Sequence, residues 1–443
     1  MNMYKRKLLI FLTVIFLGGC AGVGKPDLAR WKALPALGPF KQDERVLILA
    51  PHPDDEAIGC AGVIQQALKA RAKVKVIYLT NGDHNELAFI VYEKRITMRQ
   101  GEFVHMGQVR RQEAIRAMKF LGLSEDDLVF LGYPDFGTFS IFCRYWQSKK
   151  PFRDKLTRIS SVPYKDNPSF GAPYQGESIL SDLVKQILDY KPNKIFVSHP
   201  ADVNVDHKAL YLFLQVALSD LEGKIPSPKV YAYLIHCVGW PKPRHYHPEL
   251  ELYPPDKFRD SRINWVSFNL TPDELDKKYR ATLYYKSQTQ SSAFYLFSFS
   301  RKNELFGDYP EVELKGQSSM FEDSEGQVRY AETDNYFLLR LDKPGKLNRN
   351  FGVLLYLFGY SKSTAFADMP KIRIITSGNK YKVFDGDKRV FAAGVFFDFK
   401  TNSLVLKVPF KLLGEPDYIL SSLKAYHGVL SIDATGFRKI KVK

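Results

Sequence analysis

An almost uninterrupted apolar run, Arg45-Val46-Leu47-Ile48-Leu49-Ala50, breaks abruptly into Pro51-His52-Pro53-Asp54-Asp55-Glu56. A strand with no polar alternation has both faces buried, the habit of parallel sheets covered by helices on both sides. Helical periodicity follows over about 57–71 and a second apolar run over 73–80. A strand–helix–strand unit of this kind requires a parallel sheet with a crossover helix. The pattern repeats, with helices over about 108–121, 178–190 and 207–221 alternating with strands over 128–131, 194–198 and 229–235. The expected fold is α/β, a Rossmann-like three-layer α/β/α domain with a mostly parallel sheet. A further helix is expected over 273–288. From about 309 short strand-like runs take over, at 336–341, 352–358, 371–375, 390–399, 403–408, 428–432 and 438–442, with turn residues between them. These predict a C-terminal all-β, sandwich-like domain. The expected partition is a leader over 1–19, a tether over 20–44, the α/β domain over 45–307 and a β-rich accessory domain over 308–443.

In an open α/β sheet, ligands bind in the crevice at the carboxyl ends of the strands. His52, Asp54, Asp55 and Glu56 emerge at such an end. A second polar turn, from Ser198-His199-Pro200-Ala201-Asp202 to Asn204-Val205-Asp206-His207, leaves the strand over 194–198 in the same way. Either turn alone is also a sound helix cap. Two of them facing one crevice point to a site. One His and one Asp from the first turn and a His from the second make a three-ligand set, the number a catalytic Zn²⁺ takes while keeping a position open. A further carboxylate beside the metal can serve as general base.

Composition narrows the rest. The chain has 443 residues, 45% hydrophobic and 25% charged, which suits two or three globular domains rather than a disordered chain. Four cysteines exclude a disulfide-dense scaffold. No apolar run reaches the ~20 residues of a membrane-spanning helix. The excess of 64 Lys+Arg over 48 Asp+Glu, a net +16, is spread along the chain with no basic run, so no nucleic-acid partner is expected. Two long segments, 84–106 and 136–176, interrupt the alternation. The second carries Phe139, Phe142, Tyr145, Trp146, Phe152 and Tyr164 among basic residues. Those rings either stack on sugar faces or pack the insertion, and the pattern leaves both open.

The N-terminus reads as an export leader: Lys5, Arg6 and Lys7 precede the apolar stretch 8–17, which ends in Leu17-Gly18-Gly19-Cys20. This resembles a bacterial lipobox and implies lipidation of Cys20, a membrane anchor and a periplasm-facing protein of the cell envelope. Ala21 after Cys20 favours the outer membrane by the same resemblance. Loss of the three basic leader residues lowers the net charge to +13. Cys60, Cys143 and Cys237 remain, an odd number that cannot pair fully within one chain.

The motif Pro-His-Pro-Asp-Asp-Glu, its continuation Ala57-Ile58-Gly59-Cys60-Ala61-Gly62, and Thr80-Asn81-Gly82-Asp83 resemble the PIG-L/LmbE-like zinc-dependent de-N-acetylases. So do Arg110-Arg111-Gln112-Glu113, Leu131-Gly132-Tyr133-Pro134-Asp135 and Asp206-His207. The resemblance runs from about 45 to 307. It implies removal of N-acetyl groups from GlcNAc-type amino sugars, with Zn²⁺ held by His52, Asp55 and His207, although Fe²⁺ or Co²⁺ suit the same donors. It implies Asp54 as general base, Asp206 supporting His207 from behind, and Arg110 and Asp135 holding the sugar, with Asp83 at the pocket rim. In place of the family's first histidine in the second motif stands Asn204, whose amide can donate to an oxyanion but cannot supply a proton. Protonation of the leaving amine then falls to Asp54, once it has taken the water proton, or to another residue, of which His236 is the first candidate and His199, earlier in its turn and suited to ordering the loop, a second. The competing readings are an amide hydrolase for another N-acyl substrate and a non-catalytic glycan-binding lipoprotein. The run 404–410 faintly resembles carbohydrate-binding sandwiches. Protein partners are not indicated by the sequence.

Overall fold

The computed structural model describes residues 34–84, 100–147, 150–258, 261–314, 321–322, 328–342, 347 and 350–442. The leader, Cys20 and much of the first insertion lie outside the described residues. The first domain is built from β1 (Arg45–Ala50), α1 (Asp55–Lys69), β2 (Lys73–Thr80), α2 (Gln100–Leu121), β3 (Leu128–Tyr133), α3 (Thr138–Arg144), α4 (Gly176–Tyr190), β4 (Lys194–Ser198), α5 (Val205–Asp220) and β5 (Lys229–Tyr233). Next come β6 (Asn264–Asn269), α6 (Pro272–Thr282), α7 (Lys286–Leu296) and β7 (Asn303–Asp308). The sheet order is β3-β2-β1-β4-β5-β7-β6. β1 to β5 pair in parallel, and β7 and β6 add an antiparallel edge.

The expected three-layer α/β/α domain is present, and the side chains of β1 show why it forms. Val46, Ile48 and Ala50 point into a core with α1 and α2, while Leu47 and Leu49 point into another with α4 and α5. Period-two alternation puts apolar residues on both faces, so helices must cover both. β1 and β4 lie side by side at the centre and their crossovers leave in opposite directions, which opens a crevice between their carboxyl ends.

The second domain contains β8 (Val312–Glu313), β9 (Phe321–Glu322), β10 (Val328–Thr333), β11 (Tyr336–Asp342), β12 (Phe351–Tyr360), β13 (Lys371–Ser377), β14 (Lys380–Asp385) and β15 (Lys388–Val390). It continues through β16 (Phe396–Phe399), β17 (Ser403–Pro409), β18 (Tyr418–His427), β19 (Leu430–Ala434) and β20 (Arg438–Lys441). They form two mostly antiparallel sheets, β16-β17-β11-β10-β9 and β15-β14-β13-β12-β18-β20-β8, which share one apolar core. The larger sheet is covered on its other face too. Phe358, Tyr360, Tyr418, Leu420 and Phe437 join the core beneath α3 and α5 of the first domain.

Several boundaries differ from expectation. The helix expected over 273–288 is two helices, because the chain turns at Tyr285, which is buried with its hydroxyl on Glu56. The strand expected over 390–399 is interrupted by a turn containing Gly394 at φ 84°, a left-handed conformation that suits glycine. The aromatic insertion is packed. Phe142, Trp146 and Tyr164 are buried, and of the insertion's rings only Phe136, at its first residue, is among those that line the cleft between β1 and β4. Leu404, Leu406 and Val408 of the run that resembles carbohydrate-binding sandwiches are fully buried core. Cys60, Cys143 and Cys237 are buried and form no disulfide among the described residues. No helix among the described residues is long and apolar enough to cross a membrane.

Candidate active site

The crevice between β1 and β4 holds a cleft of about 260 Å³. Its wall includes His52, Asp54, Asp55, Asn204 and His236. The loop after β1 is fastened from two sides. Thr80 donates to Pro51 O through its N–H and its hydroxyl, each at 3.1 Å, and Arg110 of α2 donates to Pro53 O at 2.7 Å. The same guanidinium donates to Gly82 O at 3.0 Å. Gly82 has φ 68°, and a Cβ there would run into the Arg110 guanidinium, so glycine is required. Asp54 sits just before α1 at φ 126°, a strained conformation for a non-glycine residue and one found at functional sites. The strain turns Asp54 into the cleft, where its carboxylate lies 3.3 Å from Arg110, while Asp55 begins the helix.

Ligand-capable atoms of His52, Asp55 and His207 lie within 4.8 Å of one another. Asp55 Oδ2 is 3.2 Å from His52 Nδ1 and 3.2 Å from His207 Nε2. Each imidazole turns its other nitrogen to a carboxylate. His52 Nε2 is 3.0 Å from Asp135 and 3.4 Å from Asp206, and His207 Nδ1 is 3.1 Å from Asp202. Metal-binding histidines use their second nitrogen in this way. His207 is fully buried, and neither of its nitrogens has a partner with hydrogen-bond geometry.

Two further groups, Asp202–His207–His236 and His52–Asp135–Asp206, are equally compact. In each of them one carboxylate, Asp202 or Asp206, is already committed to protein N–H and O–H groups. Asp202 accepts the N–H groups of Asn204, Ile235 and His236. Asp206 accepts from the N–H groups of Phe136 and Thr138 and from the Thr138 hydroxyl. Asp55 accepts one backbone N–H and faces the cleft.

The charges also fit a cation. Asp54, Asp55, Asp135, Asp202 and Asp206 are all buried, with Arg110 beside them. Burial opposes a proton on His207, yet Asp202 and Asp55 outweigh it and hold the imidazole up at about 9. Burial likewise opposes His52, and Asp135 raises it. Burial disfavours charge on Asp55, but His207 holds its pKa well below the usual carboxylate value. The carboxylates thus favour positive charge at both imidazoles, a demand that a bound cation also meets. The donor set and its second contacts fit a divalent metal.

The other expected site residues fall as follows. Burial lifts Asp54 to about 7 against the pull of Arg110. Asn204 caps α5, accepting the Asp206 N–H on Oδ1 at 2.8 Å, which leaves its NH₂ as the donor group at the cleft. His236 lines the cleft with its ring 4.7 Å from that of His207, and burial lowers its pKa to about 4. Burial thus disfavours the imidazolium form that proton donation needs, while the expected position beside His207 in the cleft is the one it occupies. His199 lies outside the cleft, stacked on Trp265 and accepting the Ala201 N–H, and orders its loop.

Asp206 does not support His207. Consecutive residues of a helix point about 100° apart. Asp206 turns towards His52, and Asp202 takes the place behind His207. Arg110 and Asp135 line the cleft, where Arg110 Nη1 and Nη2 donate to Gly82 O and Pro53 O and Asp135 lies against His52. Asp83 is not at the rim. It is buried beneath Tyr164, whose hydroxyl it accepts at 2.7 Å, and the neighbouring His84 lines the cleft instead. Phe136, Gln288 and Tyr295 also line it. Phe136 and Tyr295 carried no sequence signal beyond proximity to a motif.

Residues 47–218 match the PIG-L family model, described as GlcNAc-PI de-N-acetylase. The chain is 22% identical over 268 residues to a probable N-acetyl-alpha-D-glucosaminyl L-malate deacetylase 2 of Bacillus anthracis, covering 60% of this chain and all of that one. Among solved structures it is similar to an N,N'-diacetylchitobiose deacetylase from Pyrococcus horikoshii, at 18% identity, 56% of this chain, 72% of that chain and a TM-score of 0.34. It is also similar to GalB, the 4-carboxy-2-hydroxymuconate hydratase of Pseudomonas putida KT2440, at 18% identity, 61% and 98% coverage and a TM-score of 0.36. Residues 47–218 form a PIG-L family domain.

Proposed function

We propose that this chain is a metal-dependent hydrolase that splits the amide of an N-acetylated, GlcNAc-type amino sugar with water, giving acetate and the free amine. The observation that carries the reading is the His52–Asp55–His207 set beside Asp54, at the cleft of a PIG-L family domain. His52, Asp55 and His207 would hold the cation, for which Zn²⁺ is the first candidate. When bound, such a cation polarises the amide carbonyl and makes water more acidic.

The chain's own groups do the rest. Asp54 takes the proton of the attacking water and returns it to the leaving nitrogen, with Arg110 holding the carboxylate in place. The Asn204 NH₂ donates to the developing oxyanion. His236, neutral near pH 7, orients substrate through a hydrogen bond and supplies no proton. Phe136 is 51% exposed at the cleft and offers an apolar face to a sugar ring.

The leader residues add a second part to the proposal: lipidation at Cys20, a periplasm-facing enzyme and an envelope glycan as substrate. The test is acetate release from N-acetylglucosamine oligosaccharides compared with N-acetyl amino acids. Release from the sugars is expected. Release confined to the amino acids refutes the sugar reading.

A further inference from the structure

We propose that Gly436 and Phe437 of the C-terminal domain are positioning residues for the His/Asp site, so that this domain is an integral half of the catalytic unit rather than a separable accessory. The proposal rests on the metal-site reading above.

The connection between β19 and β20 reaches the back of the site. The Phe437 N–H donates to Pro200 O at 3.3 Å. Gly436 is buried against the same loop, where a Cβ would stand 2.9 Å from Ala201 Cβ and 2.7 Å from the Tyr309 ring. Pro200 and Ala201 lead directly into Asp202, the carboxylate behind His207.

The Phe437 ring, 2% exposed, also meets Phe139 of α3 with centroids 6.0 Å apart. Phe142 of α3 meets Phe358 of β12 at 5.2 Å. α3 opens with Thr138, whose N–H and hydroxyl hold Asp206, the carboxylate that faces His52. The two segments that orient the ligand imidazoles are therefore closed from behind by one pair of residues. A close-packed interior transmits a small displacement rather than absorbing it. Groups that orient metal ligands typically change metal affinity by 10–100-fold when altered.

The experiment measures Zn²⁺ affinity of the metal-free full chain by chelator competition, together with kcat and KM for acetate release. Gly436→Ala puts a methyl where none fits and shifts the 199–204 loop. It is expected to weaken Zn²⁺ binding about tenfold or more and to lower kcat with little change in KM. Phe437→Leu, which keeps an apolar side chain, is expected to act in the same direction and serves if Gly436→Ala does not fold. Lys362→Ala removes the exposed Lys362–Glu222 pair at 2.8 Å, which joins the two domains through other residues, and is expected to keep wild-type affinity. Wild-type affinity in a folded Gly436→Ala or Phe437→Leu chain overturns the proposal, as does an equal loss in Lys362→Ala. A wild-type chain that binds no Zn²⁺ overturns the metal-site reading itself.

Discussion

Asp54 and Asp55 are chain neighbours with different environments, and one backbone torsion separates them. Asp54 at φ 126° faces Arg110 before the helix, and burial lifts it to about 7. Asp55 starts the helix between two imidazoles and is held ionised by His207 despite its burial. In the proposed mechanism Asp54 transfers the proton and Asp55 binds the metal. Asp54→Asn should therefore keep its metal, counted per chain by elemental analysis, while kcat falls about 10²–10⁴-fold. Unchanged turnover would remove Asp54 from the mechanism. The motif residues at the two strand ends were legible because their positions follow from topology. The partner of His207 was not. Asp206 is adjacent to it in sequence but diverges from it on the helix, whereas Asp202 reaches it from the preceding turn. The strand-end turn contained both carboxylates, and only folded geometry chooses between them.

α1 carries Asp55 and is tied to its neighbours by a buried carboxylate. Glu304 of β7 accepts the Gly62 N–H at 2.8 Å and the Val63 N–H at 3.1 Å, and lies 2.8 Å from Lys278 Nζ of α6. Both side chains of this pair are 1% exposed. Removing one partner leaves an uncompensated buried charge, which costs about 3–5 kcal/mol. Lys278→Met should lower the unfolding free energy by that amount in urea titrations, and a loss below about 1 kcal/mol would contradict the buried-pair account. At this scale the parallel strands were legible from their apolar runs, because burial on both faces leaves a clear pattern. β18, ten residues long, was not anticipated. It carries Ser421, Ser422 and Lys424, and its burial comes from packing between two layers rather than from alternation. β6 and β7 were missed for a related reason: Asn, Glu and Asp in β7 read as loop, yet Asn303 and Glu304 are buried and hydrogen-bonded.

The whole molecule is two domains joined through a shared core, with Asp308 at the end of the first sheet. Its carboxylate accepts the Tyr211 hydroxyl at 3.0 and 3.2 Å, and burial pushes its pKa up from 3.8 to about 7. A carboxyl raised by folding binds a proton that the unfolded chain has released, so its contribution is lost as pH rises across that window. Unfolding free energy should therefore fall from pH 3.8 to about 7 in the wild type more than in Asp308→Asn. Parallel curves for the two proteins would remove Asp308 as a source of that dependence. The separation into an α/β and a β-rich domain was legible from the change in strand pattern. Their common core was not, because nothing local marks Phe358, Tyr418 or Phe437 as facing another domain.

The central claim is that the His52–Asp55–His207 set makes this PIG-L family domain a metal-dependent deacetylase. Its most direct test is acetate release from N-acetylglucosamine oligosaccharides by the same preparation before chelation, after chelation and after Zn²⁺ is restored. Release that stops on chelation and returns with Zn²⁺ is the predicted result. Release that continues undiminished in the chelated, metal-free chain would contradict the account.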